Sequence, residues 1–190
     1  MGRTGAISAA LVLAISIGVK AQDPPAKGNA ARTTSTFVTQ MAIAGMAEVE
    51  LGRMASERAA SADVKMFGQM MVKDHTQANN ELTRIASQMK IEMPKQLDQK
   101  HRDLVDRLSK LKGAEFDREY MNAMVPGHEE VAKQLRSRPG GQTTSKSQES
   151  PTGTSGVEGE QALNQWAAKT LPTVEQHLEN AREIQQKVAK

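Results

Sequence analysis

Residues 36–90 decide the fold, and they read TFVTQMAIAGMAEVELGRMASERAASADVKMFGQMMVKDHTQANNELTRIASQMK. Apolar side chains recur along both halves at spacings of three and four, which places each set on one face of a helix. Thr36 can cap the first helix and Ser61 the second, so we predict helices from 36 to about 60 and from 61 to about 90. Because almost no linker separates them, these helices should form an antiparallel hairpin.

The rest of the chain continues the helical pattern. Three further helices are predicted, a short one over 97–111 and two long ones over 115–136 and 160–188. Pro126 and Pro172 fall inside the long helices, where proline bends a helix or opens a turn. Residues 139–159 are rich in Gly, Ser, Thr and Pro without a hydrophobic period, which is typical of a disordered insertion.

The composition agrees with closely packed helices. The chain has 11 Met but only one Trp, one Tyr and three Phe, and strand-like alternation is nearly absent. We therefore predict an all-α protein with one domain over 36–188, an antiparallel four-helix bundle with one short extra helix. Cysteine is absent, so disulfides and thiolate metal sites are excluded.

The first residues resemble a secretory signal. Arg3 precedes an apolar run of about 14 residues, and small residues precede a cleavage point after Ala21. The run is too short for a stable membrane span. We predict a signal peptide over 1–21, a flexible lead-in over 22–35, and a periplasmic or envelope-associated protein without a transmembrane span.

The charge balance gives no electrostatic case for nucleic-acid binding. The chain carries 25 basic and 22 acidic residues. Two of the basic residues, Arg3 and Lys20, leave with the predicted signal peptide, so the excess of positive charge falls to one. Nucleic-acid-binding domains are usually much more basic than this.

Each long helix carries one polar, metal-competent residue in its apolar stripe. They are Glu48, His75, His128 and His177. A buried Glu or His without a partner costs several kcal/mol, so these residues should satisfy one another or share an ion. In the hairpin, Glu48 lies about 13 residues before the turn and His75 about 14 after it, so their levels differ by about 2 Å. The sequence thus predicts a shared site in mid-bundle.

One carboxylate with three imidazoles suits a transition metal such as Zn, Cu or Fe better than Ca or Mg. Glu50, Asp74, Asp117 and Tyr120 are candidates to support the ligands, because metal-bound histidine usually has its second ring nitrogen held by an oxygen. His101 is expected to face solvent, since nothing places it on an apolar face. The alternative is a metal-free hydrogen-bonded cluster that is purely structural.

Several segments together resemble a known family. They are Phe37, Glu48-Val-Glu50-Leu-Gly, Met71-Val-Lys-Asp74-His75, Phe116-Asp117-Arg-Glu-Tyr120 with His128, and Leu171-Pro172-Thr-Val-Glu-Gln-His177. This set resembles a ferritin-like domain-of-unknown-function family of exported bacterial proteins, often labelled outer-membrane proteins. The resemblance implies a ferritin-like four-helix bundle with a short extra helix. Residues 117–128 are also similar to a group of exported helical proteins linked to copper.

The chain departs from these patterns at specific positions. Gly127 stands where the family usually has an acidic residue before the histidine, and residues 139–159 replace a short turn. The Glu-x-x-His pairs of di-iron ferritins are absent, because Val72, Val125 and Val174 occupy the glutamate positions. A mononuclear site is therefore expected rather than ferroxidase chemistry.

The sequence leaves three functions open. The favoured one is an exported metal-binding bundle that serves metal handling or stress tolerance at the cell envelope. The alternatives are a metal-dependent oxidoreductase and a non-catalytic envelope or interaction protein with a metal-free polar cluster. The sequence does not identify a catalytic residue, so we expect binding rather than enzymatic turnover.

Overall fold

The structure is a computed structural model that describes residues 27–138 and 155–189. It contains five helices: α1 (Lys27–Arg58), α2 (Ala62–Gln88), α3 (Gln99–Ser109), α4 (Gly113–Arg136) and α5 (Ser155–Val188). Within the described ranges the chain forms no strand and only one isolated bridge, Ala59 with Gly113. The all-α prediction is confirmed. The predicted signal peptide, part of the lead-in and most of the 139–159 insertion lie outside these ranges.

Two of the helices begin earlier than predicted. α1 starts at Lys27 instead of Thr36, and α5 starts at Ser155 instead of residue 160, so parts of the expected lead-in and insertion are helical. The two extensions are tied to the rest of the bundle. Thr34 in α1 is 5% exposed and donates a hydrogen bond to the Glu160 carboxylate in α5, 2.5 Å away. Polar composition alone does not show such tertiary contacts.

α1 and α2 run antiparallel, as the direct junction predicts. A Cβ atom added to Gly52 in α1 would lie 2.6 Å from the carbonyl oxygen of Gly68 in α2, and the reverse distance is the same. Nearer the open end of the hairpin, Gly45 faces the side chain of Asn79. Glycine is needed at the Gly52–Gly68 crossing because the two backbones touch there.

α5 runs antiparallel to both α2 and α4. Along α2, Lys169 bonds Glu81 and Lys187 bonds Asp63. Along α4, Arg182 bonds Glu129 and Arg136 bonds Glu175. α1 packs mainly on α2 and α4, and α5 mainly on α4 and α2, while the short α3 lies against α1 and α4. The described helices thus form a bundle in which the α2–α5 and α1–α4 pairs lie on opposite sides.

The core is divided into two apolar clusters. One contains Phe37, Leu82, Leu135, Leu163 and Trp166, among others. The second contains Leu51, Phe67, Met71, Tyr120 and Met124, among others. Along each long helix, the stripe passes from one cluster to the other through a polar residue. That position is where the candidate site lies.

None of the helices in the described part of the chain is long and apolar enough to cross a membrane.

Candidate metal centre

The four predicted site residues form a buried polar layer between the two apolar clusters. Glu48 is 8% exposed, His75 9%, His128 1% and His177 2%. Each of these side chains is buried because the apolar residues three or four positions before and after it lie on the same helix face, which packs against the core. Each of the four long helices thus carries one buried polar residue at the position where the apolar stripe is interrupted.

The three histidines converge on one another. One ring nitrogen from each of His75, His128 and His177 lies within 4.8 Å of the others. The ring centroids are 5.6–5.9 Å apart in all three pairs. Phe67 packs against His128 and His177 from the side of the second apolar cluster. Residues of α2, α4 and α5 thus build one compact cluster.

Each ring has one buried nitrogen with no hydrogen-bond partner among the described residues: Nε2 of His75, Nε2 of His128 and Nδ1 of His177. The second nitrogen is held in two of the rings. Nδ1 of His128 donates to the carbonyl oxygen of Met124 at 2.9 Å, and Nε2 of His177 donates to the carboxylate of Asp74 at 3.0 Å. These bonds select the tautomer that leaves the other nitrogen with a free lone pair.

Burial keeps the imidazoles of His75 and His177 neutral. Desolvation, together with the neighbouring His128 and His177, lowers the pKa of His75 to about 3. Desolvation also lowers the pKa of His177, although the hydrogen bond to Asp74 opposes it. A neutral imidazole is the form that binds a metal ion, so protons compete weakly here.

Glu48 lies beside the cluster and is not one of its convergent members. Its Oε1 is 3.9 Å from Nδ1 of His128, the nitrogen that already bonds Met124, and its Oε2 has no partner in the described structure. Desolvation raises the pKa of this carboxyl, opposed mainly by His128. Four equivalent ligands were predicted, whereas the structure brings together three with a carboxylate adjacent.

The three rings fit a transition-metal ion. A tetrahedral ion with bonds of 2.0–2.1 Å holds its ligand nitrogens about 3.3 Å apart. The present separation of up to 4.8 Å requires side-chain shifts on the order of 1 Å to close on an ion. Three imidazoles leave a fourth position open. Glu48, His75 and His128 line a cavity of about 20 Å³, enough for one water molecule or one small ligand atom.

Asp74, which was predicted to support a ligand, lies beside the three-histidine cluster. It bonds His177 across the α2–α5 interface instead of its neighbour His75. Tyr120 is fully buried against Phe67 and Phe116, and its hydroxyl has no partner in the described structure. Tyr120 therefore lies on the Phe67 side of the centre.

The remaining two predicted supporting residues, Asp117 and Glu50, lie elsewhere. Asp117 accepts hydrogen bonds from the backbone nitrogens of Ala60 at 3.1 Å and Ser61 at 2.8 Å. It therefore caps the turn between α1 and α2, far from the histidines. Glu50 is exposed, because it lies two residues from Glu48 on the opposite side of α1.

His101 was expected to face solvent, and in the structure it is partly exposed. Its side chain is 22% exposed, and its Nδ1 lies 2.6 Å from Asp98, which also caps α3. His101 and Glu48 line the same groove of about 710 Å³ between α1, α3 and α4. The capping pattern at Asp98 could have located the start of α3, but no sequence signal shows which surface α3 covers.

An all-helical bundle with a buried three-histidine cluster is the class of protein that these observations define. Residues 19–147 match the family described as Domain of unknown function (DUF4142), and the chain belongs to this family. The matched residues include Glu48, His75 and His128 and end before α5, which carries His177. No curated protein and no solved structure gives a significant match.

Proposed function

We propose that this protein is an exported, ferritin-like bundle protein that binds one divalent transition-metal ion through His75, His128 and His177. The observation that carries the proposal is the set of three buried ring nitrogens, one per histidine, that have no hydrogen-bond partner among residues 27–138 and 155–189. Leaving three such groups unpaired costs free energy that an ion would recover.

The ferritin-like arrangement is supported by the antiparallel contacts of α5 with α2 and α4 and by a ligand layer in mid-bundle. Ferritin-like proteins place metal ligands on facing helices in this way. Because the Glu-x-x-His pairs are absent, we propose a single ion. Imidazole ligands favour Zn, Cu or Fe, and Glu48 next to His128 balances part of the ion's charge.

We propose metal handling at the envelope rather than catalysis. The enclosed cavity lined by Glu48, His75 and His128, about 20 Å³, has room for one water molecule and is too small for an organic substrate. Export is supported by Arg3 and the apolar run that follows it, which lie outside the described residues. The intact mass of protein purified from cells tests export, because cleavage after Ala21 would remove residues 1–21.

The test of metal binding uses the chain without an affinity tag, stripped with a chelator and then titrated with Zn²⁺. Elemental analysis after gel filtration should find one ion per chain. His75→Ala, His128→Ala and His177→Ala should each abolish stoichiometric binding while leaving the helical circular dichroism nearly intact.

The matched control is His101→Ala, because His101 is the remaining histidine and lies outside the cluster. This variant should keep one ion per chain. If the three cluster variants bind Zn²⁺ as well as the control does, the histidines are a structural hydrogen-bonded cluster and the proposal is wrong.

A further inference from the structure

A surface cleft between α2 and α5 reaches two of the three rings. It has a volume of about 190 Å³, and its walls include His75 and His177 together with Thr170 and Thr173. Two of the nitrogens without a partner in the described part of the chain, Nε2 of His75 and Nδ1 of His177, belong to residues that line this cleft. The cleft therefore connects solvent with the edge of the three-histidine cluster.

Two carboxylates line the same cleft. Asp74 bonds His177 at 3.0 Å and keeps 27% of its side chain exposed, so it contacts both the cluster and solvent. Glu81 lies two helical turns farther along α2, where Lys169 of α5 donates to it at 2.9 Å. That bond lowers the pKa of Glu81, which keeps this carboxylate ionised. The lining thus carries two negative charges and one positive charge.

The opening on the opposite side of the bundle has a different charge. The groove beneath α3 is lined by Lys100 and Arg107 as well as by Asp103, and it reaches Glu48 but none of the three clustered histidines. A cation that entered there would meet two basic side chains and would then have to pass Glu48. The two sides of the bundle are therefore not equivalent for a positive ion.

We infer that divalent cations enter and leave the three-histidine centre through the α2–α5 cleft, with Glu81 as the outer carboxylate, Asp74 as the inner one, and Lys169 restraining entry. This inference rests on the proposed metal binding. Glu81 attracts the ion, Lys169 neutralises Glu81 while they are paired, and Asp74 receives the ion beside His177. The ion then passes between His75 and His177, whose ring centroids are 5.6 Å apart.

A residue on an entry route affects association and dissociation by the same factor, whereas a ligand changes the equilibrium affinity. Trp166 reports on the site because it is the single tryptophan and lines the cavity shared by His75 and His128. Stopped-flow quenching of its fluorescence by Co²⁺ alone measures both rate constants on the full chain.

At low ionic strength, Glu81→Gln should slow Co²⁺ association about threefold and Lys169→Met should accelerate it about threefold, because each changes the cleft by one charge. The dissociation constant should stay within about twofold, and both effects should shrink in 0.5 M salt. The control is Asp103→Asn in the opposite groove, which removes one carboxylate without touching the cleft.

Equal association rates in the unmodified chain, Glu81→Gln and Lys169→Met overturn the route while leaving metal binding intact. A slower rate in Asp103→Asn alone would instead assign entry to the groove beneath α3. If the unmodified chain takes up neither Co²⁺ nor Zn²⁺, the proposed function fails and the route fails with it. Circular dichroism checks that each of these variants is folded.

Discussion

Replacement of Asp117 by alanine tests the cap of the α1–α2 turn. Asp117 is 2% exposed, and its two carboxylate oxygens accept hydrogen bonds from the backbone N–H groups of Ala60 and Ser61 at 3.1 and 2.8 Å. Hydrogen bonds to a charged group contribute about 1.5–3 kcal/mol each. Burying the carboxylate offsets part of that gain, so we expect a net loss of about 3 kcal/mol from the free energy of unfolding.

The measurement is urea unfolding followed by circular dichroism, with chelator present so that bound metal does not shift the midpoint. With a slope of about 2 kcal/mol per molar urea, the midpoint of Asp117→Ala should fall by about 1.5 M. Asp117→Asn should lose about 2 kcal/mol, because the amide keeps one acceptor but turns its NH₂ group toward the second backbone N–H.

Asp106→Asn is the matched control, because Asp106 is also on a helix but is two-thirds exposed and forms an ion pair with Lys110 on the same helix. That change should leave the midpoint nearly unchanged. A loss below about 1 kcal/mol in Asp117→Ala would refute the capping role. Loss of Zn²⁺ stoichiometry in folded Asp117→Asn would instead return this residue to the metal site.

Three further predictions concern packing, protons and metal. Gly52→Ala should lower the free energy of unfolding by about 2 kcal/mol, because the added Cβ would lie 2.6 Å from the Gly68 carbonyl oxygen. The control Gly127→Ala, whose added Cβ would have its nearest neighbour at 3.8 Å, should instead raise the free energy of unfolding by up to about 1 kcal/mol through helix propensity. Equal effects of the two substitutions in urea unfolding would contradict this. In metal-free protein, the pKa of His75 is lowered to about 3, so as the pH falls the unfolded state binds a proton at this residue before the folded state does. The contribution of neutral His75 to stability is therefore complete above pH 6.5, and the free energy of unfolding falls by about 1.4 kcal/mol per pH unit between pH 6.5 and about pH 3. His75→Gln should flatten this dependence, and a slope unchanged by the substitution would argue against it. Zn²⁺ at about 100 times its dissociation constant should raise the free energy of unfolding by about 2.7 kcal/mol, an effect absent in His177→Ala.

The helices and the polar layer were predictable because both depend on local periodicity. Spacings of three and four fix which residues share a helix face, and the rise per residue fixes their level. His75 could therefore be placed near Glu48 through the hairpin turn. The same arithmetic should have excluded Asp117, which lies 11 residues before His128 and hence roughly 16 Å along α4.

Contacts that depend on how helices rotate against each other were not predictable. The sequence gives the level of Glu48 but not whether its carboxylate points at the free nitrogens or at the bonded side of His128. It also predicts α3 as an amphipathic helix without showing that α3 covers the groove that both His101 and Glu48 line. Both depend on the three-dimensional packing of segments distant in sequence.

The division of the core by a polar layer has a consequence for how the molecule opens. Each apolar cluster can loosen without disrupting the other, because the layer offers few apolar contacts to link them. Amide hydrogen exchange in metal-free protein should therefore show separate protection levels for the two ends. An ion bound to rings on α2, α4 and α5 would belong to both halves at once. Bound metal would then make the two halves of the bundle unfold as one cooperative unit instead of two.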